Sequence, residues 1–397
     1  MALPLRGVRV LDLSQALAGP YGAQMLGDLG AEVIKIEPPG EGDHSRAMPP
    51  YSVNGFSAYF LGFNRNKKSL TLNLKSPEGK HIFFELVKQA DVVYDNYRPG
   101  VRERLGIDYE SCKKVNPRII SCSISGFGQT GPYRDRPALD LIVQAMGGAM
   151  SFTGEEGGEP VRMGVPMGDL AGGLFSVHGV LAALYQREKT GEGQSIDISM
   201  LDCQIALLTY RVQYYFIGGE IPVPIGSGHA SGVPIRAFKA KDGKFVGVDA
   251  VVERLWRAFC DAIGHPELVN DPRYNSRVKR YQNRAELYRF VEEVFLTKTR
   301  DEWMEIFVKF GVPAGQVYNL DEAVADPQVL HRGMIKEMDH PACGKLKVTG
   351  NPIKMSASNE EVFAPHPALG ENNQEILAKL LGYTPEKVEE LRKAKVI

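Results

Sequence analysis

The sequence predicts an α/β protein with a large domain built on a parallel sheet and a smaller α+β domain in the middle of the chain. Three observations predict it. Strand-like and helix-like segments alternate through the first third, and parallel strands need helical crossovers between them. At 397 residues the chain exceeds one ordinary hydrophobic core. Near residue 218 the texture changes to a loop rich in Gly, Pro and Ser, followed by a hairpin pattern and charged amphipathic helix.

The elements follow in order. Val8 to Leu13 is short, apolar and β-branched, as a buried strand should be. After Gly19-Pro20, the segment Tyr21 to Gly30 carries helical apolar spacing at Met25, Leu26 and Leu29. Ala31 to Glu37 is a second strand, stopped by Pro38-Pro39-Gly40. Ser69 to Leu74 is a strand, Pro77 to Ala90 a helix opened by its proline, and Asp91 to Tyr97 and Pro117 to Ser123 are further strands. Asp169 to Arg187 has apolar helical positions at Leu170, Leu174, Val177, Leu181 and Leu184. Ser195 to Ser199 reads as a strand and Leu201 to Phe216 as one long apolar helix. Ile235 to Val248 predicts a hairpin turning at Asp242-Gly243. Glu253 to Phe310 is mostly helix, Lys345 to Val348 is strand-like, and a last helix starts at Pro385. The expected division is 1–217, 218–325 and 326–397.

Composition removes several classes. Lys+Arg is 47 against 48 Asp+Glu, so no whole-molecule field draws nucleic acid or acidic lipid, and an anionic ligand must meet a local basic patch. The five cysteines are scattered without a CxxC, against a disulfide framework or structural zinc. The eight histidines form no H-x-x-x-H, so no metal site is expected. The N-terminus lacks a signal-type run, and the most apolar stretch, Leu170 to Tyr185, is interrupted by glycines and falls short of a bilayer span. A reducing, cytoplasmic setting is expected, although an organelle matrix gives the same pattern. Gly126-Phe127-Gly128-Gln129-Thr130-Gly131 matches G-x-G-x-x-G, but Pro132 and Pro137 point to a loop where the dinucleotide fingerprint needs a helix start. G-x-S-x-G and the P-loop are also missing.

Two positive signals remain. In Gly164-Val165-Pro166-Met167-Gly168-Asp169 a carboxylate sits where a Gly/Pro-rich loop becomes a helix. One reading is an N-cap. The other uses the same place: a helix N-terminus favours the ionised carboxylate, small neighbours at Gly168, Gly172 and Gly173 leave room for a ligand, and such a carboxylate can be a covalent nucleophile. The second signal is a basic cluster, with Arg65, Lys67 and Lys68 before one strand, Lys75 at its end, and Arg98, Arg102 and Arg104 after the next. Loops at the carboxyl ends of parallel strands are the usual ligand crevice, where Arg and Lys suit phosphates and Tyr97 suits a purine. A solvated charged surface is the competing reading.

The order of several short motifs resembles the class III CoA-transferase family, which includes formyl-CoA:oxalate and carnitine CoA-transferases. They are Val10-Leu11-Asp12-Leu13, Ala18-Gly19-Pro20, Leu26-Gly27-Asp28-Leu29-Gly30-Ala31-Glu32, Asn64-Arg65-Asn66-Lys67, Asn96-Tyr97-Arg98-Pro99-Gly100, Ser125-Gly126-Phe127-Gly128, Gly168-Asp169, Thr190-Gly191-Glu192-Gly193 and Gly311-Val312-Pro313-Ala314-Gly315. The resemblance spans essentially the whole chain. It implies a Rossmann-like large domain assembled from both chain ends, an inserted small domain, and two copies interlocked as a homodimer. It implies an enzyme that moves CoA from an acyl-CoA donor to a carboxylic acid acceptor, with no permanent cofactor and coenzyme A thioester as substrate.

Under this resemblance Asp169 falls at the family's nucleophile, passing through mixed-anhydride and aspartyl-CoA thioester intermediates. CoA contacts fall on Leu17, Ala18, Leu72, Lys75, Asn96, Tyr97, Arg98 and Arg104. The acceptor side falls on Gln15, Tyr59, Leu139 and the loop Gly226, Gly228 and His229. Some positions depart from family patterns. Leu17 and Pro38 stand where formyl-CoA transferases carry Gln and Arg, against a formate or oxalate substrate. Leu139 stands where acyl-CoA racemases of the superfamily place a catalytic His, against racemisation. A non-catalytic CoA-binding protein, with Asp169 only a cap, is the remaining alternative. The acceptor side suits a medium, partly apolar acid or a dicarboxylate.

Overall fold

The computed structural model describes residues 3–358 and 363–397. Its frame is a parallel six-stranded sheet of β1 Arg9–Asp12, β2 Glu32–Glu37, β3 Lys67–Thr71, β4 Val92–Asp95, β5 Ile120–Ser125 and β6 Ser195–Ser199, ordered β3-β2-β1-β4-β5-β6. This is the order of a doubly wound dinucleotide-binding sheet, with the switch of direction between β1 and β4. The helices that bear on the site are α1 Ala18–Asp28, α2 Pro77–Val87, α3 Asp140–Met146, α4 Met167–Thr190, α5 Met200–Leu207 and α6 Tyr210–Gly218. From the chain's end come α7 Asn373–Leu381 and α8 Pro385–Lys393.

Period-two alternation explains the two cores. Leu11, Ile34 and Val93 face α2, α7 and α8 through Phe83, Leu86, Leu377 and Leu391. Their chain neighbours Val10, Val33 and Val92 face α1 and α4 through Ala23, Leu26, Val177 and Val180. All of these are buried. α4 runs beyond the apolar stretch read from the sequence, which corrects the expectation that it falls short of a span: it is long and apolar enough to cross a membrane. Half of it packs against α1, α3, α5 and the sheet, so burial accounts for much of its apolarity.

The end of the chain returns to this sheet. Asn373 Oδ1 accepts from Thr71 N (2.8 Å), and Asn73 N donates to Val396 O (2.8 Å). Residues up to 150, 162–220 and from 331 onward form one compact unit, and residues 151–161 with 221–330 form a second. The short segment 151–161 belongs with the second because its turn accepts from that unit: Gly226 N donates to Gly154 O (2.9 Å).

The second unit has an antiparallel three-stranded sheet, with Phe245–Asp249 between Ile235–Lys239 and Ala314–Gln316. The hairpin turns at Asp242-Gly243 as expected, with Gly243 at φ 80°. Its core stacks Trp256, Phe259, Phe295, Trp303 and Phe307. The helix Arg300–Phe310 starts with a capping box of Thr299 and Glu302.

Two element expectations are corrected. The strand expected from Pro117 starts only at Ile120, because Ile119 N turns back to Asn116 O (3.0 Å). The single helix expected over Leu201 to Phe216 is two, α5 and α6. Thr209 lies at φ 48°, a conformation a β-branched residue rarely adopts, and it breaks the i→i−4 ladder. Leu208 N and Arg211 N take carbonyls three residues back instead (3.1 and 2.9 Å). The pattern of apolar residues continues across the break, so periodicity alone cannot reveal it.

Candidate active site

In an open parallel sheet the ligand crevice lies outside the carboxyl ends of the strands where the winding reverses. Here that place is bounded by the loops after β1 and β4. They are tied together: Gln15 N donates to Asn96 Oδ1 (2.8 Å) and Asn96 Nδ2 donates to Gln15 O (2.7 Å). A buried charge network supports the first loop from below. Lys35 Nζ donates to Ser14 O (2.7 Å) and pairs with Asp43 (2.8 Å), and Asp43 Oδ1 accepts from Ala16 N (3.1 Å). Ala16 is held at φ 62°, which a non-glycine residue keeps only when surroundings fix it. Burial works against the Asp43 carboxylate, but Lys35 together with the Ser45 and Ala16 amides holds Asp43 at about 2. Lys67 bonds Asp12 (3.0 Å), Pro20 O and Asn64, and burial pulls its ammonium down to about 8 despite Asp12.

All the expected site residues except Gly226, Gly228 and His229 divide between two cavities of the large unit. The first, about 690 Å³, is lined by Asp169, Gln15, Leu17, Ala18, Tyr59, Asn96, Tyr97, Arg98 and Leu139. The second, about 970 Å³, is lined by Leu72, Lys75, Tyr97 and Arg104. Gln15, Tyr97 and Val101 line both, so the cavities adjoin. Gly226, Gly228 and His229 lie in the second unit, where Ser231 N donates to His229 Nδ1 (3.2 Å).

Asp169 corrects the N-cap reading. α4 begins at Met167 after Pro166, so Asp169 is the third helical residue, and no side chain of Pro166 caps the helix. The free amide of Gly168 donates instead to Asp140 Oδ1 (2.8 Å). The expectation that the helix end favours the charged form is also overturned. Burial, then the like charge of Asp140, push the Asp169 carboxyl up to about 7, with Arg162 opposing them. The glycines beside it do not open space for a ligand. A Cβ on Gly168 would meet Val143 and Asp140, one on Gly172 would meet Met200 and Ile124, and one on Gly173 would lie 2.8 Å from Ala18 O. They exist so that helices pack closely, and the access to Asp169 comes from the crevice.

The basic cluster is only partly available. Arg65 is buried in a bidentate pair with Asp28 (3.0 and 2.5 Å), Lys67 is buried on Asp12, Lys68 spans Glu32 and Glu375, and Arg102 pairs with Asp95 (3.1 Å). These four hold the fold. Lys75, Arg98 and Arg104 are exposed and line the cavities.

Sequence reading missed several lining residues. Arg392 and Lys395, from the last helix and the residues after it, line the Lys75 cavity. Arg134, Arg136, Asp140 and Arg162 line the Asp169 cavity. The tail cations were visible only as a charged surface, and their meaning depends on the chain's return to the sheet. The segment Gly126 to Gly131 is a loop without a helix start, as its prolines indicated.

Comparison with known proteins agrees with this architecture. The sequence profile of CoA-transferase family III matches residues 5–373. The chain is 43% identical to the succinyl-CoA:glutarate CoA-transferase of Mus musculus, over 98% of this chain and 89% of that protein. It is 42% identical to the acetyl-CoA:oxalate CoA-transferase of Acetobacter aceti, over 90% of each. The crystal structure of a CAIB/BAIF family protein from Brucella suis superposes with a TM-score of 0.86 at 36% identity, covering 96% of this chain and 100% of that one. The chain belongs to the CoA-transferase family III, and it is an enzyme of the CoA-transferase type.

Proposed function

We propose that the enzyme moves CoA from an acyl-CoA to a dicarboxylic acid acceptor by way of a covalent intermediate on Asp169. The observation that carries this reading is the adjoining of the two cavities, one holding a carboxyl and the other a cationic rim of Lys75, Arg104, Arg392 and Lys395. The rim suits the phosphates of coenzyme A, and Tyr97 at the junction suits the path between nucleotide and thioester.

The Asp169 carboxylate attacks the thioester carbonyl. A C–O bond forms, the C–S bond breaks, and CoA leaves as thiolate from a mixed anhydride. The thiolate attacks the aspartyl carbonyl, releasing the donor acid and leaving an aspartyl-CoA thioester. The acceptor carboxylate repeats the sequence in reverse, so Asp169 returns as a free carboxylate. The thioester energy stays in covalent form throughout. Partial burial makes the carboxylate less stabilised, hence more reactive.

A dicarboxylate is favoured over a partly apolar monoacid because Arg134, Arg136 and Arg162 share the Asp169 cavity. Guanidinium groups hold carboxylates bidentately. Glutarate, in the name of the mouse relative, is an acid of this class.

We also propose a second copy of the chain as an interlocked partner. The outer faces of α4 and α6 leave Leu174, Phe175, Tyr214, Phe216 and Ile217 exposed, a large apolar area for one chain. A monomer mass by light scattering at micromolar concentration rules this out.

Asp169→Ala, assayed with succinyl-CoA and glutarate, tests the catalytic reading. Turnover should fall at least about 10³-fold while acyl-CoA still binds. Normal transfer by this variant refutes the mechanism.

A further inference from the structure

We propose that Asp140, held by Arg162 and Gln144, is a positioning residue that anchors the first turn of the Asp169 helix from outside and sets the surroundings of its carboxyl. This rests on the reading of Asp169 as nucleophile.

The geometry is specific. A helix leaves its first N–H groups without partners, and a polar side chain at the N-cap usually takes one. Pro166 at the N-cap of α4 has no such side chain. Asp140, at the first position of α3, supplies the acceptor in its place: its Oδ1 takes Gly168 N at 2.8 Å, one residue before Asp169. Its Oδ2 accepts from Arg162 Nε and Nη2 (both 3.1 Å) and from Gln144 Nε2 (2.8 Å). Gln144 Oε1 in turn accepts from Met163 N (3.0 Å), so the segment bearing Arg162 is fixed to the same helix. The Asp140 side chain is nearly buried, whereas Arg162 is 44% exposed to the cavity.

The electrostatic consequence has two signs. Asp140 opposes a negative charge on Asp169, and Arg162 favours it. Tyr59 also faces Asp169, and its own ionisation is made harder by that carboxyl after burial. The other ionisable groups of the cavity wall are His44, Tyr97, Arg98, Arg134 and Arg136. An arrangement that only stiffened the helix would not need the paired arginine at the cavity surface. Through this pair, an acceptor carboxylate that draws Arg162 toward itself alters the basicity of the nucleophile during the cycle.

The test is the pH dependence of kcat/KM with succinyl-CoA and glutarate in full-length variants. Asp140→Asn removes the like charge and frees Arg162, so the acidic limb should move down by about half to one pH unit. Arg162→Gln leaves Asp140 uncompensated and should move it up by a similar amount. Asp140→Ala loses the helix anchor as well, and kcat should fall about tenfold or more, with the acyl-CoA KM changed less than threefold. Limbs that stay in place, or move in one direction for both charge variants, overturn the proposal. Asp169→Asn in the same assay separates the two claims: if it transfers CoA normally, the nucleophile reading fails. If it is inactive while the limbs do not move, only the role of Asp140 fails.

Discussion

Asp169 shows how a residue's neighbourhood decides its chemistry. Its position near a helix start, visible in the sequence, points to a stabilised anion. The fold instead half-buries it beside Asp140 and raises it to about 7. Catalysis through the carboxylate should therefore rise as pH increases through about 7, which a kcat/KM profile between pH 5 and 9 measures; a flat profile across that window contradicts it. The same shift bears on stability. The folded state holds this proton more tightly than the unfolded chain, so the contribution is most favourable below the unfolded value near 4 and is lost as pH rises through about 7. Asp169→Asn should then stabilise the protein by about 1–2 kcal/mol at pH 8, allowing for partial exposure, with no gain at pH 4. Thermal unfolding at the two pH values checks this. The residue itself was legible in sequence as a carboxyl at a loop-to-helix junction. Its neighbours Asp140 and Arg162 were not, because Asp140 takes the Gly168 amide from 28 residues away and Arg162 reaches Asp140 across 22, which leaves no local pattern.

At the scale of elements, the site depends on how closely α1 approaches α4. A Cβ on Gly22 would collide with the Tyr94 hydroxyl, and one on Gly173 would press on Ala18 O and the Tyr21 ring. Tyr94 is buried and hydrogen-bonded to Ser176 of α4, which fixes that helix to β4. Gly173→Val should therefore push α1 outward and cost about 1–3 kcal/mol. It should also weaken CoA binding, because Leu17 and Ala18, the proposed CoA contacts that line the Asp169 cavity, move with α1. Denaturation and equilibrium binding of CoA measure the two effects, and an unperturbed variant would contradict the packing argument. The strands and most helices were legible because period-two and period-3.6 patterns are strong in buried elements. The α5–α6 break was not, since it depends on one backbone conformation at Thr209 within a continuous apolar run.

For the molecule as a whole, the order β3-β2-β1-β4-β5-β6 places the crevice, and the returning C-terminal segment completes it. Alternation along the chain predicts a parallel sheet but not its strand order, and so cannot say which loops meet. The tail is pinned where Asn73 N meets Val396 O, which carries Arg392 and Lys395 to the cavity of Lys75 and Arg104. Replacing both tail cations with Gln should raise the KM for succinyl-CoA about fivefold at low salt and less at high salt, with kcat changing little. Equal KM values for variant and parent across salt concentrations would remove the tail from the binding site.

Mass spectrometry of the enzyme trapped during turnover addresses the covalent step itself. The protein is mixed with succinyl-CoA and hydroxylamine, digested and sequenced by fragmentation. The account predicts a hydroxamate on Asp169 that forms only when the acyl-CoA is present. Full transfer activity with Asp169 unmodified, or a label on another residue, would contradict it.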